Sequence, residues 1–143
     1  MMRTLAILAC LAGPAFADQV TAVEFLAEEQ IAIGCQSGKG TLTPDGLREV
    51  DLNNDGRLDL ILDHAGMVCD GTGMFARSTY CGVQVCSIYF YIRDENGLLV
   101  FNDEVLGLID TISDAKLPVI SGIAHGGDTW SVVWSGNRFE LTQ

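Results

Sequence analysis

A short acidic stretch, residues 51–59, constrains the fold of this chain more than any other feature. Oxygen-bearing side chains stand at alternate positions of this stretch, with Gly56 between them. Asp, Asn and Gly favour tight turns, and Gly adopts positive φ at little cost. Apolar runs lie on both sides, at residues 47–52 and 58–64. We therefore predict a hairpin in which these two runs are strands and the acidic stretch is the turn.

The donor groups of this loop match the preferences of a calcium ion, which takes about six to eight oxygen ligands at about 2.3–2.6 Å. The predicted ligands are four side chains and, for the arginine, the backbone carbonyl: Asp51, Asn53, Asp55, Asp59 and Arg57. The loop contains neither His nor Cys, which disfavours zinc and copper. The alternative interpretation is an Asp- and Asn-rich turn without a metal.

The loop departs from the helix–loop–helix EF-hand, which is closed by a bidentate Glu at its twelfth position. That position is Leu62 here, and Leu58, Leu60 and Leu62 alternate as in a strand. The pattern Asp-x-Asn-x-Asp-Gly-x-x-Asp followed by a strand resembles the calcium loops of FG-GAP and VCBS-type β repeats, and dockerin and thrombospondin-type repeats use similar loops. The resemblance implies bound calcium. Those families usually carry several copies, so the one copy here does not imply a β-propeller. Because the bidentate Glu is missing, we expect a dissociation constant near about 10⁻⁴–10⁻³ M.

Residues 1–17 have the features of a secretory signal peptide. Arg3 supplies a positive start, an apolar run follows, and residues 15–17 form a small-x-small cleavage motif. The run is shorter than the about 20 apolar residues needed to span a bilayer. We predict cleavage between Ala17 and Asp18, with residues 18–143 as a single domain in the periplasm or outside the cell and no membrane span. A lipoprotein signal ending at Cys10 is the alternative.

Export implies oxidised cysteines. Four of the five cysteines lie beyond the signal, and an even count in a small secreted domain indicates two disulfides. Three pairings are possible. We favour Cys81–Cys86, which closes a tight loop, and Cys35–Cys69, which ties the segments before and after the calcium loop. The alternative is a zinc or redox site, but Cys-x4-Cys is not the redox spacing.

Hydrophobic periodicity predicts a mainly β (α+β) fold, an antiparallel sheet or small sandwich with one N-terminal helix. The helix is predicted over residues 20–33 and ends at Gly34. Residues 37–46 and 65–82 are predicted to be loops. The Asn96-Gly97 dipeptide predicts a hairpin turn. Eight apolar or alternating runs are candidates for about seven short strands. These runs are 47–52, 58–64, 83–93, 98–101, 106–112, 117–123, 128–134 and 138–141.

The net charge of −11 limits the partners of the chain. It disfavours nucleic acid and anionic membranes, and it favours cations and basic proteins. The chain as a whole resembles small, uncharacterised exported bacterial proteins with one such loop, a downstream cysteine cluster and a closing Trp-x-Gly-x-x-Phe motif, here Trp134, Gly136 and Phe139. That resemblance implies location and fold, but no activity.

Two functions fit these features. The first is a secreted calcium-binding domain with a structural or binding role. The second is an envelope inhibitor or adaptor that binds a basic protein such as a lysozyme. Catalysis is not predicted, because the closeness in sequence of Ser121, His125 and Asp128 does not make a triad and an oxidised Cys69 cannot bind a metal together with His64. A hydrolase that uses paired carboxylates ranks third.

Overall fold

The structure, a computed structural model, describes residues 21–142. The predicted signal peptide and its cleavage point lie outside these residues. One α-helix and nine strands are found in the described part of the chain. They are α1 (Ala22–Gly34), β1 (Gly40–Leu42), β2 (Leu47–Val50), β3 (Asp59–Asp63), β4 (Met67–Cys69), β5 (Cys86–Arg93), β6 (Leu99–Ile112), β7 (Ile120–Ile123), β8 (Thr129–Trp134) and β9 (Phe139–Leu141).

Seven of these strands form one antiparallel sheet in the order β2-β3-β5-β6-β7-β8-β9, and β1 pairs with β4 in a separate ribbon. The mainly β fold with one N-terminal helix is therefore confirmed. The hairpin around the acidic loop is confirmed too, because β2 and β3 pair antiparallel with Val50 opposite Asp59. The closing Trp-x-Gly-x-x-Phe motif forms a second hairpin, in which β8 and β9 pair with Trp134 opposite Phe139.

Helix α1 begins at a capping box, two residues later than apolar periodicity predicts. Thr21 is the N-cap: its side chain accepts a hydrogen bond from the Glu24 amide, and the Glu24 carboxylate accepts one from the Thr21 amide. Both bonds satisfy amides that a helix start leaves without partners. The helix therefore runs over Ala22–Gly34 rather than the predicted 20–33.

Two apolar clusters cover the two faces of strands β3 and β5, and a third surrounds the Cys35–Cys69 bridge. On one face of β3 and β5, side chains such as Ile61 and Phe90 pack against Trp130, Val132 and Phe139 from the C-terminal strands. On the other face, Leu60, Leu62 and Tyr91 pack against Leu26 of α1. The sheet is thus covered by its own C-terminal strands on one side and by the helix on the other.

Strand β6 differs from the prediction of two separate strands at 98–101 and 106–112. It is a single strand, Leu99–Ile112, whose pairing register shifts twice. Each shift is a β-bulge, which bends a strand and increases its twist. The long strand can therefore pair with β5 along its first part and with β7 along its second part.

The predicted loops at 37–46 and 65–82 are wrong in part, because each contributes a strand to the β1–β4 ribbon. Gly40 and Gly66 make close backbone approaches there, and an added Cβ would meet the Val68 carbonyl or the Gly46 backbone. Each of these strands is only three residues long and lies between glycines, so pattern analysis does not detect it.

Both predicted disulfides are confirmed. Cys35–Cys69 joins the C-terminal cap of α1 to the end of β4. Cys81–Cys86 closes a short loop before β5. Strand β5 begins at Cys86 rather than at the predicted residue 83, because residues 82–85 belong to that loop, where Val83 is 94% exposed. None of the helices described over residues 21–142 combines the length and apolar character needed to cross a bilayer.

Candidate functional site

The 51–58 segment forms the turn of the β2–β3 hairpin, and its side chains fold back onto its own backbone. Asp51 accepts two hydrogen bonds, from the Asp55 amide at 3.2 Å and from the Gly56 amide at 2.9 Å. Asn53 Oδ1 accepts a further bond from the Asp55 amide at 3.1 Å. The coil requires positive φ at Asn54 (57°) and Gly56 (85°), a conformation that Gly and Asn tolerate best. The predicted turn between β2 and β3, with positive φ at Gly56, is therefore confirmed.

Asp55 is the most exposed of the acids in the loop and is paired with Arg57. Its Oδ1 accepts the Arg57 amide at 2.8 Å, and its Oδ2 accepts the Arg57 guanidinium at 2.6 Å and the Asn53 amide group at 2.9 Å. The hydrogen bond from the Arg57 backbone is the main reason that the pKa of Asp55 is lowered. Asp55 is therefore an ionised carboxylate, and a guanidinium already lies against it.

Asp59 occupies a different position from the other acids: it lies beneath the loop and is 0% exposed. One carboxylate oxygen accepts the Leu52 amide at 2.8 Å and the other accepts the Arg93 amide at 2.7 Å. Burial raises the pKa of the Asp59 carboxyl, and these two hydrogen bonds oppose that effect. Asp59 thus ties the end of the loop to strand β5.

The five predicted ligands supply only oxygen, which suits a hard cation. Within residues 21–142, no group of three or more His, Cys, Asp and Glu side chains is placed to hold a metal ion. The structure therefore does not bring Asp51, Asp55 and Asp59 together as a metal-binding group, and a calcium ion here would also need the amide oxygen of Asn53 and the carbonyl of Arg57. Repulsion from Asp51 and Asp55 contributes to the raised pKa of Asp59, so the three carboxylates are close enough to interact and a cation would relieve that repulsion.

A second polar cluster, not predicted from the sequence, surrounds His64. This side chain is 0% exposed, and its Nδ1 lies 2.9 Å from Ser78 Oγ. The rings of Tyr80 and Tyr89 lie against it, with centroid distances of 4.8 and 4.9 Å. Burial lowers the pKa of His64 to about 4. Because His64 and Ser78 are both buried, the pair is part of the packed core rather than a nucleophile and base open to solvent.

His64 should make the stability of the protein depend on pH. The unfolded chain binds a proton at His64 near pH 6.5, whereas the folded protein binds it only near pH 4. Stability should therefore fall as pH drops from about 6.5 to about 4, by about 3 kcal/mol in total. Urea unfolding across this range should show the loss, and His64→Gln should reduce it.

Asp63, next to His64, also contributes to the pH dependence of stability. This contribution is the same in the native protein and in His64→Gln, so the difference between the two proteins isolates the effect of His64. Burial raises the pKa of Asp63, so its protonation strengthens the folded state as pH falls, which is the opposite sign. NMR titration of the His64 ring gives a direct check. A His64 ring that titrates near pH 6.5 in the folded protein would contradict the expectation.

The residues considered for catalysis do not share hydrogen bonds in the described part of the chain. Ser121 Oγ lies 2.8 Å from Ser131 Oγ on the neighbouring strand. His125 lies in a glycine-rich turn before β8, and no hydrogen bond within residues 21–142 joins it to Ser121 or Asp128. Cys69 is held in a disulfide, so it is not available to bind a metal with His64.

No protein-family model, curated protein or solved structure gives a significant match to the chain. The resemblance of residues 51–59 to FG-GAP, VCBS and dockerin calcium loops therefore stays a prediction, and so does the resemblance of the whole chain to small exported bacterial proteins.

Proposed function

We propose that this protein is an exported calcium-binding β domain with a structural or binding role, and that the 51–59 loop is its calcium site. The observation that carries the proposal is the conformation of the loop. Asp51 and Asn53 accept amides from within the loop, and Asn54 and Gly56 have positive φ. The loop thus already has the tight coil, with side-chain oxygens folded back onto its own backbone, that a calcium loop requires. Two disulfides support export, because such bonds persist in oxidising compartments.

Calcium would be held by Asp51, Asn53 and Asp55 side chains and by the Arg57 carbonyl, with Asp59 at the base of the loop. Each oxygen of Asp59 accepts one backbone amide and keeps a second lone pair. The ion would neutralise three mutually repelling carboxylates. It would thereby stabilise the turn that sets the β2–β3 register, which makes a structural role the simplest one.

The Arg57 side chain would compete with a calcium ion for the Asp55 carboxylate. Its guanidinium pairs with Asp55 and also donates to the Arg93 carbonyl at 3.4 Å. A partly exposed pair of this kind is worth about 0.2–1 kcal/mol. Calcium must weaken this ion pair in order to use Asp55, so the two residues should have opposite effects on calcium affinity.

Thermal unfolding in calcium and in chelator tests the proposal with a pair of variants. With a dissociation constant near about 10⁻⁴–10⁻³ M, ~10 mM calcium should stabilise the native protein by about 1.4–2.7 kcal/mol. Asp55→Ala should abolish this calcium-dependent stabilisation. Arg57→Gln should instead tighten calcium binding by about two- to fivefold, because it removes the competing cation.

Two controls separate a site from general charge screening. Asp114→Ala removes one negative charge from the exposed loop between β6 and β7 and should leave the calcium effect unchanged. Magnesium at the same concentration should stabilise less, because it requires stricter octahedral geometry and releases its water reluctantly. Equal shifts with both ions, or no shift in millimolar calcium, would refute the calcium site.

A further inference from the structure

A groove of about 450 Å³ lies between helix α1 and strands β5 and β6, on the opposite side of the sheet from the C-terminal strands. Its volume falls in the about 300–1,000 Å³ range of small-molecule sites. Three aromatic rings, two carboxylates and one amide are the groups in its lining that could bind a ligand. These residues are Tyr89, Tyr91, Phe101, Glu29, Glu104 and Gln30.

A β-bulge brings the sheet side of this groove together. Tyr91 pairs with Phe101 and Tyr89 pairs with Glu104, with the register shift between the two pairs. Phe101 and Glu104 are three positions apart, so in a regular strand they would face opposite sides of the sheet. The extra residue, Asn102, lets both lie beside the two tyrosines, which are two positions apart and share one face.

The three rings form an aromatic corner in which Tyr91 is buried, Tyr89 is half-buried and Phe101 faces solvent. Phe101 lies 5.6 Å from Tyr89 and 5.8 Å from Tyr91 between ring centroids, and the two tyrosines are 6.4 Å apart. All three pairs meet edge to face. Phe101 is 53% exposed, so a ligand can reach its ring. Ring faces carry negative potential and attract organic cations within about 6 Å.

The charged groups of the groove have one sign. Glu29 stands on the helix side and Glu104 on the sheet side, and no Lys or Arg of residues 21–142 lines the groove. Neither carboxylate takes part in a salt bridge within the described chain. Burial is the main reason that the pKa values of Tyr89 and Tyr91 are raised. The negative charge of Glu104 adds to this effect at Tyr89, and that of Glu29 adds to it at Tyr91. Both acids therefore act on the aromatic corner.

A buried acceptor is also available at the wall of the groove. Gln30 is 7% exposed, and its Oε1 has no hydrogen-bond partner within residues 21–142. A buried amide oxygen without a partner costs about 1–3 kcal/mol, so such an atom marks a place where a donor is missing. A ligand, or water ordered by a ligand, would supply that donor.

We propose that this groove binds a small organic ammonium compound, whose cationic nitrogen lies against the Phe101, Tyr89 and Tyr91 rings between the carboxylates of Glu29 and Glu104. The aromatic faces select a weakly hydrated organic cation over a metal ion, and the two carboxylates supply the opposite charge. This site is separate from the calcium loop and does not depend on calcium binding there.

Titration with choline and with its neutral isostere 3,3-dimethylbutan-1-ol tests the proposal on the purified disulfide-bonded protein. The two probes have the same shape and differ in the positive charge. At ~0.15 M salt, where long-range attraction is screened, choline should shift the ring signals of Phe101, Tyr89 and Tyr91 in NMR spectra and saturate at millimolar concentration. The isostere should bind at least about fivefold more weakly.

Variants locate the site without disturbing the core. Phe101→Leu keeps an apolar side chain at an exposed position, and it should weaken choline binding about tenfold because it removes one ring. Glu104→Gln should weaken it about two- to fivefold, and Glu28→Gln, an exposed acid on α1 outside the groove, should leave it unchanged. Equal binding of choline and the isostere would overturn the proposal. So would binding of a basic protein such as lysozyme at the groove with no choline binding, which would mark a protein-docking surface instead.

Discussion

Replacing Asp59 with alanine should lower the free energy of unfolding by about 2–5 kcal/mol, and the loss should be present already in chelator. Asp59 is buried, and its two oxygens accept the amides of Leu52 and Arg93. Each buried amide left without an acceptor costs about 1–3 kcal/mol. The alanine variant also removes a buried charge and its repulsion from Asp51 and Asp55. The expected loss is therefore smaller than the cost of two unpaired amides added together. Urea unfolding with excess chelator measures the effect.

Asp51→Ala is the matched control for this experiment. Asp51 also accepts two backbone amides, but both hydrogen bonds lie in an exposed part of the loop. Water can replace them, so Asp51→Ala should cost less than about 1 kcal/mol in chelator. The two variants thus separate an acid that holds the fold from one that only shapes the loop. If Asp59→Ala unfolds at the same urea concentration as the native protein in chelator, with an unchanged slope, Asp59 does not tie the loop to the sheet.

Asp59 also shows where sequence analysis of this loop reaches its limit. The spacing of residues 51–59 is local information, and it predicts the turn, the flanking hairpin and the position of Gly56. The buried position of Asp59 depends instead on Arg93, which is 34 residues away and meets Asp59 because β5 pairs with β3. A pattern of nine residues carries no information about that contact.

The same distinction explains the other successes and failures of the prediction. The disulfide pairing followed from the even cysteine count, from the tight loop that Cys81–Cys86 closes and from the two segments that Cys35–Cys69 ties together. The groove did not follow, because Phe101 and Glu104 share a face only through a bulge in a strand that was predicted as two. The pairing of Tyr89 and Tyr91 with these residues is likewise non-local. By contrast, the Thr21-x-x-Glu24 capping box is a local signal, and it would have placed the start of α1 correctly.

Removing the Cys35–Cys69 disulfide should cost about 4 kcal/mol, roughly twice the about 2 kcal/mol expected for Cys81–Cys86. The first bridge joins cysteines separated by 34 positions and the second joins cysteines separated by 5. A bridge that closes a longer loop removes more conformational entropy from the unfolded chain. Urea unfolding of the paired variants Cys35→Ala/Cys69→Ala and Cys81→Ala/Cys86→Ala measures the difference, and each variant serves as the control for the other.

The two bridges should also differ in their effect on the proposed ammonium groove. Cys35 caps α1, and Glu29 and Gln30, on the last two turns of that helix, form one wall of the groove. Without the bridge to Cys69, the end of the helix keeps only the hydrogen bond from the Thr79 amide to the Gly34 carbonyl and its side-chain packing. Choline should therefore bind more weakly to the Cys35→Ala/Cys69→Ala protein even where it remains folded. Neither Cys81 nor Cys86 lines the groove, so the other variant should keep its affinity. Equal losses of stability in the two variants would contradict the loop-length argument, and unchanged choline affinity in both would show that the Cys35–Cys69 bridge does not hold the helix wall of the groove.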